Sequence, residues 1–281
     1  MKRLKDFILV LAFIIGISTL QSCDNATEEV KDSTVAQTET SDYINLLGAF
    51  TLSTVDEITS AESVTGETSE LKSAETYSCL TVTVNDNDTG DFWPRSWTLD
   101  FGTENCESFN GYMRRGKINV SLSDWWRHEG SLREVTFEDF YFNDNKLDGV
   151  KTVLNNGLND AGNMNFTKKL TGGKISYADG TSMSWDSEKL SELIEGGDTF
   201  IFADDVWSVT GSGSGVNIDG NNFAMSITTP LIYKNGCFYP VSGIITIETD
   251  GEETKTIDYG DGECDNLISV TIGDVTEKIE L

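Results

Sequence analysis

Apolar and polar side chains alternate along most of the chain. The runs LTVTV (Leu80 to Val84), KINVSL (Lys117 to Leu122), EVTFE (Glu134 to Glu138), FAMSIT (Phe223 to Thr228) and IITIE (Ile244 to Glu248) all repeat every two residues. Rich in Val, Ile, Thr and aromatic residues, they read as half-buried antiparallel strands. The chain has 26 Gly and only 3 Pro. Asn156-Gly157, Asp179-Gly180 and Asp219-Gly220 are dipeptides of the hairpin type, because both residues tolerate positive φ. Asp148-Gly149 fits within or beside a strand, and GSGSG (Gly211 to Gly215) reads as a flexible hairpin or bulge. Roughly twelve to fifteen strands are expected, joined by short turns into an antiparallel meander. The fold class is all-β: a twisted multi-stranded sheet or a two-layer sandwich, since so large a flat sheet curls or splits.

Two segments carry helix-like spacing. From Tyr43 to about Ala61, Leu46, Leu47, Phe50, Val55 and Ile58 fall near one helical face, which predicts a short N-terminal helical segment. In SEKLSELIE (Ser187 to Glu195), Leu190, Leu193 and Ile194 share a helical face, and a strand continuing from Met183 and Trp185 fits equally well.

The first residues do not belong to this body. Lys2, Arg3 and Lys5 precede a 14-residue apolar run, Phe7 to Leu20. A bilayer-spanning helix takes about 20 residues, so the run reads as a secretory signal peptide. The following Leu20-Gln21-Ser22-Cys23 resembles the lipobox of bacterial lipoproteins, which implies lipidation of Cys23 and attachment to a membrane. Each buried methylene of an acyl chain adds roughly 0.8 kcal/mol, and stable anchoring takes more than one chain. The segment DNATEEVKDSTVAQTETSD (Asp24 to Asp42) has almost no large apolar side chains and reads as a disordered tether.

Removal of residues 1–22 takes away Lys2, Arg3, Lys5 and Asp6. It leaves 17 basic against 46 acidic residues, a net charge of about −29. Such a surface repels nucleic acid and anionic headgroups, so no nucleic-acid partner is expected.

Four cysteines follow Cys23. Cys79 and Cys106 are 27 positions apart, as are Cys237 and Cys264, and the pairs are related by an offset of 158. Within that frame Thr98, Leu99, Asp100, Phe101, Gly102 and Cys106 match Thr256, Ile257, Asp258, Tyr259, Gly260 and Cys264. The duplication predicts two related strand pairs, each stapled by its own disulfide, one at each end of the sheet region. Free thiols or crossed pairing are the alternatives. An exported protein meets an oxidising space, and each loop closure is worth roughly 3 kcal/mol.

WTLDFGTENCESFNGYMRRGKI, KLDGVKTVLNNG, KISYADGTSMSWDSEK, WSVTGSGSGVNIDGNNFAMSITTPLIY and GCFYPVSGIITI with IDYGDGECDNLISVTIGDV together resemble an uncharacterised family of Bacteroidota outer-membrane or surface lipoproteins with a duplicated DFG-x3-C motif. The resemblance spans about residues 75 to 281 and implies lipid anchoring and a β-rich body, with no activity to carry over. Acidic Asp24, Glu28 and Glu29 soon after Cys23 look like that phylum's surface-export signal, and Asp32-Ser33-Thr34 resembles its O-glycosylation sequon. The expected location is the outer membrane, facing outward, with the periplasmic face as the alternative.

The expected organisation is a signal peptide over 1–22, lipidated Cys23 and tether over 23–42, and a partly helical lead-in over 43–78. A single all-β domain then covers 79–281, with a weak internal repeat between 79–106 and 237–264. The candidate ligand contact is the SDWWRHEG loop, where Trp125, Trp126, Arg127 and His128 would meet a glycan or a partner protein if the indoles are not folded back on the sheet. His128 is the sole histidine, which excludes multi-histidine zinc sites. Asp86, Asp88 and Asp91 in NDNDTGD partly match a calcium loop, yet the twelfth position from Asp86 is Trp97 where a Glu is required. No cofactor is expected beyond that weak Ca2+ candidate. No catalytic residues stand out, and the leading reading is a non-catalytic envelope lipoprotein, a surface-exposed binding or structural module. The alternatives are a periplasm-facing carrier of lipid or another apolar ligand, or an envelope scaffold, and then a carboxylate-based glycosidase.

Overall fold

The structure, a computed structural model, describes residues 79–85, 93–107, 112–199, 201–237 and 239–281. The expected N-terminal helical segment, the tether and Cys23 lie outside the described residues. Fourteen strands form one antiparallel sheet. They are β1 (Thr81–Asn85), β2 (Arg95–Asp100), β3 (Cys106–Glu107), β4 (Met113–Leu122), β5 (Leu132–Phe142), β6 (Asn145–Leu158), β7 (Met164–Ser176) and β8 (Ser182–Glu195). After a 3-10 turn at Phe202–Asp204 come β9 (Val206–Val216), β10 (Asn222–Lys234), β11 (Ser242–Thr249), β12 (Lys255–Asp261), β13 (Leu267–Ile272) and β14 (Val275–Glu280). Each strand lies beside its predecessor in sequence, except that β3 pairs only with β4 and β2 pairs directly with β4. The all-β meander is therefore as the alternation predicts, but as one sheet, not two layers. Among the described residues no helix is long and apolar enough to cross a membrane.

One face of this sheet is buried. Trp97 and Leu99 on β2, Val120 on β4, Ile175 on β7, Ile257 on β12 and Ile279 on β14 belong to one contiguous apolar cluster, and Leu99 is fully inaccessible. A sheet of this many strands twists and curls toward one face rather than lying flat. Bulges supply the bend. The register slips at Gly116 on β4, Gly149 on β6, Gly172 on β7 and Gly243 on β11, all with positive φ. The slips on β4 to β7 lie side by side: a Cβ on Gly116 would meet the carbonyl oxygen of Asp139 on β5 at 2.0 Å, and one on Gly149 would meet Cα of Gly173 on β7 at 2.9 Å. Bulges bend and twist their strands, so a row of them creases the sheet.

One sequence expectation changes here and one is narrowed. Asn156-Gly157 is not a turn but part of the last residues of β6, at a register slip; Gly211 to Gly215 lies within β9, where Gly211 falls at the slip against β10, the bulge and not the hairpin of the two expected forms. A Cβ on Gly211 would meet the carbonyl oxygen of Glu188 at 2.3 Å, so the glycines serve close backbone approach between strands. Asp179-Gly180 and Asp219-Gly220 do close hairpins, where Tyr177 N–H donates to Thr181 O and Asn217 N–H to Asn221 O. Ser187 to Glu195 is strand throughout, with Leu193 inward and Leu190 and Ile194 outward.

Both predicted disulfides are formed, Cys79–Cys106 with Cα atoms 5.8 Å apart and Cys237–Cys264 with 5.6 Å. The repeated motif also repeats in conformation. Asp100 Oδ1 accepts Gly102 N–H at 2.8 Å, and Asp258 Oδ1 accepts Gly260 N–H at 2.9 Å, both glycines having positive φ. If the end of the strands carrying the β4–β5 loop is called upper, antiparallel alternation places Cys79–Cys106 at the lower end and Cys237–Cys264 at the upper end. Each disulfide ties strand connections near one side of the sheet.

Candidate functional site

The SDWWRHEG loop joins β4 to β5 at the upper end. Its first residue pair is fixed by hydroxyl and carboxylate caps. Ser123 Oγ accepts Leu132 N–H at 2.9 Å, Asp124 Oδ1 accepts Trp125 N–H at 2.7 Å, and Ser131 Oγ donates to Asp124 O at 2.7 Å. The backbone hydrogen bond from Trp125, and then the contact of His128 Nδ1 with Asp124 Oδ2 at 3.1 Å, hold the Asp124 carboxyl below its usual range. His128 itself faces solvent.

Buried Asn155 on β6 holds the loop down. Its Nδ2 donates to Trp126 O at 2.8 Å and its Oδ1 accepts Gly157 N–H at 2.7 Å. Its backbone O accepts Gly130 N–H at 2.8 Å, and its N–H donates to Ser131 O at 2.9 Å. In consequence the two indoles do not project together. Trp126 is half-buried and stacks on Phe166 of β7 with ring centroids 6.0 Å apart, and Phe166 in turn meets Trp207 of β9 at 5.8 Å. Trp125 sits 6.4 Å from Trp126, and the Arg127 guanidinium lies 4.8 Å from the Trp126 ring centroid. Sequence-local reasoning brought Trp125, Trp126, Arg127 and His128 together; the fold directs Trp126 inward and His128 outward.

Beneath the aromatic cluster the inner face turns basic. Lys168 lies between Phe166 and Leu170, both buried, and shares their face of β7. Lys189 is in phase with Trp185 and Leu193, the inward residues of β8. Lys151 is in phase with buried Val153 and Asn155 on β6. Lys168 stands directly opposite Lys189, and Lys151 is one row away on the next strand, opposite Leu170. Lys168 Nζ is 5.9 Å from the Trp207 ring centroid. Burial first, and then the charges of Lys168 and Lys151, push the Lys189 ammonium down to about 8. Composition hid this cluster, because 47 acidic residues outnumber 20 basic ones. Its signal was the alternation itself: each lysine falls in phase with the apolar, not the polar, positions of its strand.

Asp205, just before β9, is buried at the upper end, and burial raises its carboxyl above the usual value, with the Arg127 charge opposing that shift. The calcium candidates Asp86, Asp88 and Asp91 lie outside the described residues. Among the described residues no three His, Cys, Asp or Glu side chains gather to hold a metal ion. No protein-family model, curated protein or solved structure matches this chain.

Proposed function

We propose that the protein is a non-catalytic binding module, held at the outer face of the cell envelope by lipid on Cys23, whose ligand surface is the upper part of the inner sheet face. The observation that carries this reading is the Lys168–Lys189 pair. Like charges placed directly opposite on a sheet oppose folding, and here both occupy positions in phase with the core. The aromatic set of Trp126, Phe166 and Trp207 beside them adds an apolar platform with polar edges. The lipobox-like Leu20 to Cys23 and the acidic tether that follows support an anchored, outward location.

The anchoring half is tested by feeding cells a clickable palmitate analogue and shaving intact cells with protease, with lysed cells as control. Label on the wild type but not on Cys23→Ala, and digestion of the β body on intact cells, are expected. Absence of label would overturn the lipid anchor. Protection until lysis would place the sheet on the periplasmic side and make carriage or scaffolding there the reading to pursue.

A further inference from the structure

We infer that a groove on the outer face of the sheet, running across β7 to β10 toward the lower end, binds a short neutral saccharide chain. This goes beyond the inner-face reading, since it uses the opposite face of the sheet and other residues. The groove holds about 580 Å³, within the range of about 300–1,000 Å³ usual for ligand sites. Strand register shows on which face it opens. Gly173, Trp185, Gly215 and Phe223 stand opposite one another across the four strands, and their backbone forms the floor. The side chains of Trp185 and Phe223 are buried on the inner face. The walls are the flanking rows, whose side chains point outward. Lys174, Ser184, Val216 and Asn222 make one wall, and Asp186 and Ser214 with Gly172 make the other. The inward neighbours Met183, Ser187 and Met225 line no part of it. Neighbouring strands are about 4.8 Å apart and two residues along a strand advance about 7 Å, so the groove is about 14 Å long and about 7 Å wide, the footprint of a few sugar rings in line.

The walls select the chemistry. β8 and β9 are paired on both sides, so their backbone groups are used within the sheet and cannot take up a peptide as an added strand. Val216 is the only large apolar side chain that the described residues place in the walls, which leaves a lipid tail little to meet. Lys174 and Asp186 supply one charge of each sign, and a net charge of −27 turns polyanions away. What the groove offers is donors and acceptors at fixed places. Asp186 Oδ1 accepts Gly172 N–H at 2.6 Å, which fixes the carboxylate and leaves Oδ2 as an acceptor. Asn222 Nδ2 donates to Asp250 Oδ2 at 2.9 Å, which leaves Asn222 Oδ1 as an acceptor. Lys174 supplies donors, and the hydroxyls of Ser184 and Ser214 supply either. Sugar hydroxyls each give and take a hydrogen bond, so this mixed set suits them better than it suits a single charged group. Gly172 keeps its wall low: a Cβ there would meet nothing within 4 Å.

The test is calorimetric titration of the purified protein with cellohexaose, laminarihexaose, mannohexaose, maltohexaose and hexagalacturonate. The wild type is expected to bind at least one of the neutral chains, and to bind it more tightly than hexagalacturonate. Asp186→Asn, which keeps the acceptor for Gly172, and Lys174→Met should each weaken binding by about tenfold, the scale of a lost hydrogen bond to a charged group. Ser214→Tyr should abolish binding by filling the groove. Lys278→Met, exposed on β14, should change it by less than about twofold. Thermal melts establish that the variants fold. Lys174 and Asp186 are exposed, so their variants carry the test even if Ser214→Tyr is destabilised. Three results would overturn the inference: no neutral chain bound by the wild type, tighter binding of hexagalacturonate, or undiminished binding by both Asp186→Asn and Lys174→Met. Binding that survives those two but is lost in Lys189→Met would place the saccharide on the inner face, so the two sites fail separately. Palmitate labelling and protease shaving are independent of both.

Discussion

Asn155→Ala isolates what holds the aromatic loop against the sheet. The Asn155 side chain is almost wholly inaccessible and makes two hydrogen bonds to backbone groups, Trp126 O and Gly157 N–H. Alanine leaves both groups without that partner, in a place that water does not readily reach. An unsatisfied buried group costs about 1–3 kcal/mol, so the pair amounts to about 3 kcal/mol if the loop relaxes partly. For a domain of this size that is a fall in melting temperature of about 6–12 °C. The local consequence is more specific. Trp126 O loses its tie to β6, so the indole should leave Phe166 and its fluorescence should shift to the red and become more accessible to acrylamide. Equilibrium urea denaturation followed by circular dichroism, together with acrylamide quenching in native buffer, measures both. Asn155→Asp is the informative partner: it keeps the acceptor for Gly157 and loses the donor to Trp126. A loss below about 1 kcal/mol with unchanged quenching would refute the claim that Asn155 anchors the loop.

Four further outcomes follow from the same structure. Gly116→Ala should destabilise by about 3 kcal/mol or more, since its Cβ would overlap Asp139 O. Gly102→Ala, also at positive φ but in open space, should cost only about 1 kcal/mol; equal losses in urea melts would show that the crease does not depend on close backbone approach. Replacing Cys79 and Cys106 together by Ala, or Cys237 and Cys264 together, should each lower stability by about 3 kcal/mol, and non-reducing peptide mapping should recover only the 79–106 and 237–264 pairs. Lys189 has its folded value lowered from 10.5 to about 8, so the native state binds its proton less tightly than the unfolded chain. Its destabilising effect grows as pH falls from about 10.5 to about 8 and is complete below that. Lys189→Met should thus stabilise at pH 7, by on the order of 1–3 kcal/mol, and give no gain near pH 11. Asp205 has the opposite sign of shift. Burial raises its folded value, so its cost appears as pH rises above the usual carboxylate range. Asp205→Asn should raise the melting temperature at pH 7 and leave it unchanged at pH 3, and a loss at pH 7 would show that the carboxylate is favourably held.

The elements that the sequence made legible are those in which a local rule and the global fold agree. Alternation marks Leu99, Ile118, Ile245 and Ile257 as inward, and all four are buried. The equal Cys spacing carried the pairing, because a duplicated strand pair repeats its staple along with its Asp-aromatic-Gly turn. Where local and global preference part, the reading failed in a physically consistent way. Glycine inside a strand reads as a turn or a bulge when only its own φ is considered; at Gly211 and Gly215 the cause is the neighbouring β8 backbone, which a Cβ would meet at 2.3 and 1.9 Å. Leu190, Leu193 and Ile194 fit a helical period, but β8 is a 14-residue strand paired on both sides, and that ladder outweighs one apolar stripe. The choice between the two expected forms, one twisted sheet or two layers, was not legible, because it depends on bulges that act jointly and no single bulge announces the crease. The Trp126 loop depends on Asn155, 29 residues away. The lysine cluster lies between these cases. Its phase was written in NFTKKL and SEKLSEL, but a charged residue in phase with the core looks like noise until three of them fall on adjacent strands. Lys168 and Lys189 break the same cross-strand rule that Lys169 and Glu188 obey one residue away. Register tells which side chains stand opposite one another across two strands, and not what else in the fold meets them, so consistency has to be read over the whole face and not strand by strand.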